Sequence, residues 1–287
     1  MLDRVQTLIV VILLAVFAIF IVVTLAQLNP DLLARSTYPP RVDIVASVAL
    51  TFFAFLGFAV ISFTGADLPD PARNLPRAMY LALGITTALY ILVSLGVFGT
   101  LTVQEVIDNG ETALAVAARP ALGEAGFAMM AIAALLATSS SVNANIYAAA
   151  GSTAKLAEAG QFPPVFGRLA HVGGTWGLLI SVGLVLLLAN LVDLTAIASL
   201  GSVVALGIFL LVSLAALRLR RETGSSAWVI GAGIAATALV LVIFGVQTLQ
   251  DSPQTFTAML GILALAIVLD LVWSWIRARR AQAAAGR

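Results

Sequence analysis

The chain has 287 residues, of which 61% are hydrophobic and 10% charged, and its formal net charge is +1. A soluble globular protein carries about 25% charged residues to cover its surface, so this composition excludes an ordinary soluble domain. The few basic residues lie at the ends of apolar segments and form no patch, which argues against a nucleic-acid partner. The sequence contains no cysteine, which removes disulfides, thiol catalysis and cysteine metal sites.

Eight long windows of the sequence lack Asp, Glu, Lys and Arg. A helix needs roughly 20 mostly apolar residues to cross about 30 Å of hydrocarbon, and the windows lack the period-2 alternation of a barrel. The sequence therefore predicts an all-α polytopic membrane protein with eight transmembrane helices in a single membrane domain over residues 1–287. The predicted spans are 7–28, 44–65, 79–101, 127–150, 176–191, 194–217, 228–247 and 256–276.

Basic residues are divided unequally between the two sets of loops that eight spans create. One set holds twelve Lys and Arg residues, whereas the other holds only Arg35, Arg41 and Arg119. Cytoplasmic loops of membrane proteins carry an excess of basic residues. We therefore predict a multi-pass protein of the cell membrane, surrounded by the lipid bilayer, with both termini in the cytoplasm.

The second predicted span has the most unusual composition, because four phenylalanines crowd around Gly57 near its middle. Transporters often interrupt a helix at the bilayer midplane, and a glycine-bearing segment is the best sequence indication of such a break. The alternative is that Gly57 allows another helix to approach closely while the aromatic side chains face lipid. Composition alone leaves both interpretations open.

Two motifs follow the second and fourth spans. The first consists of Phe55-Leu56-Gly57-Phe58, then Asp67, then Asp70-Pro71-Ala72-Arg73-Asn74-Leu75-Pro76. The second consists of Gly151-Ser152-Thr153-Ala154-Lys155 and Gly160-Gln161-Phe162-Pro163. In this order and at this distance, the motifs resemble those of the sixth and eighth helices in the amino acid, polyamine and organocation (APC) permease superfamily. The resemblance covers essentially the whole chain.

This resemblance implies a partial LeuT-like five-plus-five inverted-repeat fold. Family members usually have twelve helices, and the spans of this chain correspond by motif to helices five to twelve. The first four helices, which include the interrupted helix that supplies half of the substrate cradle, have no counterpart in the sequence. We therefore expect transport to require a separate polypeptide that supplies these helices. A non-transporting membrane scaffold or remnant is the alternative.

The resemblance also implies which residues contact the substrate, a small-molecule amino acid. Phe53 occupies the position of an aromatic residue that packs on the substrate in family members. Around Ala54, Phe55 and Gly57, unwound backbone would accept hydrogen bonds from the substrate ammonium group.

Two further substrate-contact positions depart from the family pattern. Many members have Glu two residues after the glycine, where this chain has Ala59, and the aromatic residue of helix eight is replaced by Ile146. No buried acid then remains to pair with a second positive charge, and an unpaired buried charge is costly. We therefore expect a neutral amino acid and not a basic amino acid or a polyamine.

The fourth span contains Ser139, Ser140 and Ser141, whose hydroxyl oxygens are candidate sodium ligands. Serine hydroxyls in membrane helices more often bond to the carbonyl one turn back or to a neighbouring helix. We expect no cofactor and no other metal, and the sequence leaves open whether transport is coupled to H⁺ or Na⁺.

An intramembrane enzyme is the least favoured class. The three serines have no His, Lys or acid in their own span, and His171 is the only histidine of the chain. Asp270 is the only acid well inside a predicted span. Because Arg277 follows it by about two helical turns, we expect a locally paired acid near the membrane interface. The sequence predicts a permease and not an enzyme.

Overall fold

The computed structural model describes residues 2–58, 61, 69–170, 174–192, 194–251 and 253–285. Within these ranges the regular elements are helices, and a single isolated β-bridge joins Leu169 to Thr175. The α-helices are α1 (Leu2–Ala26), α2 (Arg41–Phe55), α3 (Pro71–Phe98), α4 (Val103–Asn109), α5 (Ala113–Ala117), α6 (Arg119–Glu158), α7 (Trp176–Leu191), α8 (Leu194–Arg218), α9 (Arg220–Thr223), α10 (Ala227–Asp251) and α11 (Pro253–Ala285).

Five of the described helices are long and apolar enough to cross a membrane. They contain the segments Val5–Ala26, Pro71–Phe98, Arg119–Glu158, Leu194–Arg218 and Ala227–Gln250. The helix α7 is also apolar but has only 16 residues. This architecture confirms the prediction of an all-helical, multi-pass membrane protein, whereas eight crossings, a single membrane domain and an inverted repeat stay predictions.

Some helix bounds follow the predicted spans closely, and others extend beyond them. The helix α7 has the predicted bounds, and α8 ends one residue later than predicted. The helix α3 begins at Pro71, well before residue 79. Proline is favourable at the first position of a helix, because the backbone N–H that it lacks would have no partner within the helix there. The helix α6 contains a kink at Gly123, where φ is 61° and ψ is −151°. A charge-free window gives the length of the apolar segment, and a helix can extend beyond this segment, as α3 does at its start.

The contacts divide the chain into two compact units. Unit 1 comprises Met1–Pro39 and Phe58–Ala148, and unit 2 comprises Pro40–Gly57 and Ala149–Arg287. The long helix α6 contributes its first part to unit 1 and its last part to unit 2.

The core of unit 1 includes the close contact between α1 and α3. Phe20 and Thr24 of α1 are fully buried, and the Thr24 hydroxyl donates a 2.7 Å hydrogen bond to the Phe20 carbonyl. Gly96 of α3 faces these two side chains, and a Cβ atom at this position would overlap Thr24 Oγ1 and lie 3.1 Å from Thr24 Cβ. After α1, the Asn29 N–H donates a 2.8 Å hydrogen bond to the Gly99 carbonyl. Only a glycine at position 96 allows the two helices to approach this closely.

The core of unit 2 lies among α2, α8 and α10. Leu206 of α8 and Phe244 of α10 are buried, and Phe52 of α2 packs against them. At the start of α2, Asp43 Oδ1 accepts a 3.2 Å hydrogen bond from Gln247 Nε2 of α10. These contacts hold α2 against α8 and α10 along its length.

The helix α4 of unit 1 begins with a capping box formed by Thr102 and Glu105. The Glu105 N–H donates to Thr102 Oγ1 at 3.2 Å, and Glu105 Oε2 accepts from the Thr102 N–H at 2.8 Å and from its hydroxyl at 2.8 Å. The hydrogen bond from the Thr102 backbone N–H has the larger effect and the bond from the Thr102 hydroxyl the smaller one, and together they hold the pKa of Glu105 below its ordinary value of 4.5. Hydrogen bonds to the charged form of an acid favour that form.

The capping box makes the local stability of α4 dependent on pH. Because the folded-state pKa of Glu105 lies below the unfolded value, its stabilisation is complete above pH 4.5 and is lost as pH falls through the folded pKa. We expect hydrogen exchange at the Val106 amide, corrected for its intrinsic rate, to accelerate over this acidic range. Glu105→Gln should flatten the profile, because glutamine can accept the same bonds but does not titrate. An unchanged profile in this variant would contradict the assignment.

Candidate functional site

The regular helix α2 ends at Phe55, two residues before Gly57. The Leu56 N–H bonds to the Phe53 carbonyl, and residues 56–58 form a 3-10 turn. Such a turn replaces the i to i−4 bonding of an α-helix with the tighter i to i−3 pattern. The α-helical part of the second predicted span therefore stops near its middle. Ala59 lies outside the described residues, as do positions 60 and 62–68.

Gly57 is not a point of close helix approach among the described residues. No described atom lies within 4 Å of a Cβ atom placed on Gly57. A glycine that admits a neighbouring helix has atoms of that helix where its side chain would be, as Gly96 does. Among the described residues, the close helix approach seen at Gly96 is therefore not repeated at Gly57, and a conformational role for Gly57 stays a prediction.

Phe52 and Phe53 are adjacent in α2 but differ in their surroundings. Phe52 makes an edge-to-face contact with Phe209 of α8, with ring centroids 5.9 Å apart and an interplanar angle of 82°. The Phe53 ring lies against Gly201 of α8, where Phe53 Cδ2 is 2.7 Å from the position of a Cβ atom. Nevertheless, 39% of the accessible surface of Phe53 is not covered by other residues of the protein. Phe52 therefore packs in the core of unit 2, whereas Phe53 is partly exposed.

The remaining candidates at the end of α2 lie beside these rings. Ala54 is exposed, whereas Phe55 is half-buried. Both belong to unit 2 together with Phe53 and Gly57. Ile146, on α6, belongs to unit 1 and is 42% exposed.

The three serines of α6 make hydrogen bonds within unit 1. The Ser139 hydroxyl donates to the Leu135 carbonyl at 2.7 Å, and Ser140 Oγ accepts from Gln6 Nε2 of α1 at 2.6 Å. Ser141 Oγ accepts a 3.4 Å bond from Asn145 Nδ2. The first two bonds are those expected of serines that bond one turn back or to a neighbouring helix. Their role as sodium ligands stays a prediction.

Charged side chains are few in the described part of the chain. Arg119 Nε lies 3.2 Å from Glu124 Oε1, and the Arg119 guanidinium lies 4.4 Å from the centroid of the Phe127 ring.

Among the described residues, no three His, Asp or Glu side chains are grouped to hold a metal ion. Asp270 is exposed on α11, and no ion pair joins it to Arg277 in the described structure, so the expected local pairing is absent. His171 lies outside the described residues.

A family model described as amino acid permease matches residues 2–273. The chain belongs to this amino acid permease family. The match confirms the resemblance that the motifs around Gly57 and Gly151 indicated. It also confirms the prediction of a permease and not an enzyme.

The relatives of this permease chain include named transport proteins. The inner membrane transport protein YbaT of Escherichia coli is 28% identical over 270 residues, which cover 94% of this chain and 63% of YbaT. Protein MJ0609 of Methanocaldococcus jannaschii, described as uncharacterized, is 34% identical over 223 residues, or 77% of this chain and 51% of its own length. The serine/threonine exchanger SteT of Bacillus subtilis is 28% identical over 127 residues, or 44% of this chain and 29% of SteT. The permease chain therefore spans 63% and 51% of the length of the first two relatives.

Gly201 contacts the candidate residue Phe53 but could not be predicted from the sequence. Gly207 lies in the same apolar helix, but no described atom lies within 4 Å of a Cβ atom placed on Gly207. Both glycines have the same local sequence character. No signal in a single sequence distinguishes the glycine that meets an aromatic ring from the one that does not.

Proposed function

We propose that the chain is the substrate-contacting part of a secondary transporter for small neutral amino acids. In this proposal the substrate contacts Phe53, Ala54, Phe55 and Gly57, and the family pattern adds Ala59 and Ile146. The observation that carries the proposal is the end of regular α2 beside Gly57 in a chain of the amino acid permease family. Peptide groups at a helix interruption supply polar partners within the membrane, where a zwitterionic substrate needs them.

The preference for a neutral substrate is supported by charge. Residues 44–66 contain no Asp, Glu, Lys or Arg, so the side chain of a basic amino acid would find no acid in this segment. The name of the SteT relative, a serine/threonine exchanger, agrees with a small uncharged side chain. We therefore propose L-serine and L-threonine as the first substrates to test.

The assembly and orientation are further parts of the proposal. We propose that helices beyond these 287 residues also contribute to the transport pathway, a suggestion supported by the partial coverage of YbaT and MJ0609. Both termini are placed in the cytoplasm, on the basis of the twelve-to-three division of basic residues. Coupling to H⁺ or to Na⁺ is to be decided by experiment.

The test measures binding and uptake of labelled L-serine in two preparations of the same chain. In membrane vesicles from the source cells we expect saturable uptake that excess L-threonine inhibits at least about tenfold better than L-arginine or agmatine. In liposomes containing only the purified chain we expect binding of L-serine without sustained uptake. Parallel assays with imposed Na⁺ and pH gradients identify the coupling ion.

Each alternative predicts a different result. Equal inhibition by L-arginine would contradict the neutral substrate, and robust uptake by the purified chain would contradict the need for further helices. Absence of binding and uptake in both preparations would favour a non-transporting membrane scaffold.

A further inference from the structure

We propose that Gly201 of α8 is a positioning residue for Phe53, and that the absence of a side chain at position 201 determines the size of substrate side chain that is accepted. This inference rests on the proposed contact between Phe53 and the substrate. It adds to that contact a residue on a second helix, far from Phe53 in the sequence.

The first step is the distance between the two residues. A Cβ atom on Gly201 would overlap Cε2 of the Phe53 ring and lie 2.7 Å from Cδ2 and 3.7 Å from Cζ. Carbon atoms pack at about 3.5–4.0 Å. Even a methyl group at position 201 would therefore displace either the ring or one of the two helices.

The second step is that the helices are less free to move than the ring. Phe52, the neighbour of Phe53, is held edge-to-face against Phe209 of α8 and packs against buried Leu206. Beside Gly201, the side chain of Ser202 is fully buried. Moving α2 away from α8 would disrupt these contacts, whereas the Phe53 side chain is 39% exposed and is therefore less confined.

The third step links the displacement to selectivity. A ring displaced from α8 moves by on the order of 1 Å, and in the proposed function this ring contacts the substrate. Such a shift reduces the space for the substrate side chain but leaves the backbone groups near Gly57 in place. Misplacement by about 1 Å can change rates on the order of 100-fold, so the effect should be measurable.

The experiment compares Gly201→Ala with Gly207→Ala, a matched control in the same helix with no described atom within 4 Å of the new methyl group. In the vesicle uptake assay, we expect Gly201→Ala to raise the KM for L-threonine on the order of tenfold and the KM for glycine by less than about twofold. The maximal rate should stay within about twofold of the wild type, and Gly207→Ala should leave both KM values unchanged. A general packing defect would not separate the two substrates in this way.

A second readout tests the contact independently of transport. In the background of Phe53→Ala, the additional change Gly201→Ala should cause no further loss of thermal stability or of affinity, because the ring that it would displace is gone. If Gly201→Ala alone does not accumulate in the membrane, the double variant should recover accumulation. Failure to recover would overturn the inference.

The two proposals fail in distinguishable ways. If the wild-type chain binds L-serine but Gly201→Ala and Gly207→Ala have the same substrate profile, only the positioning role of Gly201 is wrong. If the wild-type chain neither binds nor transports any amino acid, the proposed function is wrong and the positioning role falls with it.

Discussion

Phe53→Ala should raise the KM for L-serine on the order of 10- to 100-fold in the vesicle uptake assay, while the protein accumulates in the membrane as the wild type does. Phe53 is 39% exposed near the end of α2, and in the proposed function its ring is the aromatic surface that contacts the substrate. Removing the Phe53 ring eliminates the proposed contact, and the methyl group of alanine cannot orient a ligand. Phe53→Tyr should retain most of the affinity, because it preserves the ring.

The adjacent Phe52 provides the matched control for this prediction. Phe52 packs against Phe209, Leu206 and Phe244, so Phe52→Ala should cost about 1–3 kcal/mol of stability, less than a fully buried phenylalanine because lipid can fill part of the space. At a temperature where this variant is folded, its selectivity between L-serine and L-arginine should equal that of the wild type. The proposal would be wrong if Phe53→Ala bound L-serine normally, or if Phe52→Ala alone changed the substrate preference.

Gly96→Ala should destabilise the contact between α1 and α3 by about 1–3 kcal/mol. The new Cβ atom would overlap Thr24 Oγ1 and lie 3.4 Å from Phe20 Cε1. Neither neighbour can give way easily, because both side chains are fully buried and the Thr24 hydroxyl is bonded to the Phe20 carbonyl. Threonine is also restricted at χ1 by its branched Cβ.

The measurement is the thermal unfolding of the purified chain in detergent, with Gly84→Ala as the control. Gly84 lies in the same helix, and no described atom lies within 4 Å of a Cβ atom placed there, so this change should be neutral or slightly stabilising. Adding Thr24→Ala to Gly96→Ala should recover part of the lost stability, since it removes the overlapping oxygen. Equal unfolding temperatures for the two single variants would contradict the close packing of α1 on α3.

The helices themselves could be predicted because apolar length is a local property of the sequence. Hydrocarbon excludes charged groups over a stretch of chain, and the charge-free windows record that exclusion directly. The bounds of α7 and α8 follow the predicted spans almost residue by residue. The helix α2 is the exception, because its regular part ends at Phe55 and residues 56–58 form a 3-10 turn, although the sequence there is still apolar. Apolarity permits a helix but does not require it.

The candidate site could be predicted only in part. Gly57 could be predicted because a glycine and four phenylalanines lie in one segment, and the family motif predicts the role of Phe53. The bond between Gln6 and Ser140 joins residues 134 positions apart. The run of serines marked Ser140 as a candidate, but nothing in either local sequence indicates that these two residues pair. The expected pairing of Asp270 with Arg277 was inferred from spacing alone, and no such ion pair forms in the described structure.

By itself, the sequence determined that this chain is a multi-pass helical membrane protein, because membrane insertion depends on composition summed over about 20 residues at a time. Its motifs indicated the permease family. Only the tertiary structure decided which of the glycines lie against neighbouring side chains, as Gly96 does against Thr24 and Gly201 does against Phe53. Such contacts depend on the shape of two surfaces that are brought together only after the helices have formed. Close packing is a property of the pair, so neither sequence segment carries it alone.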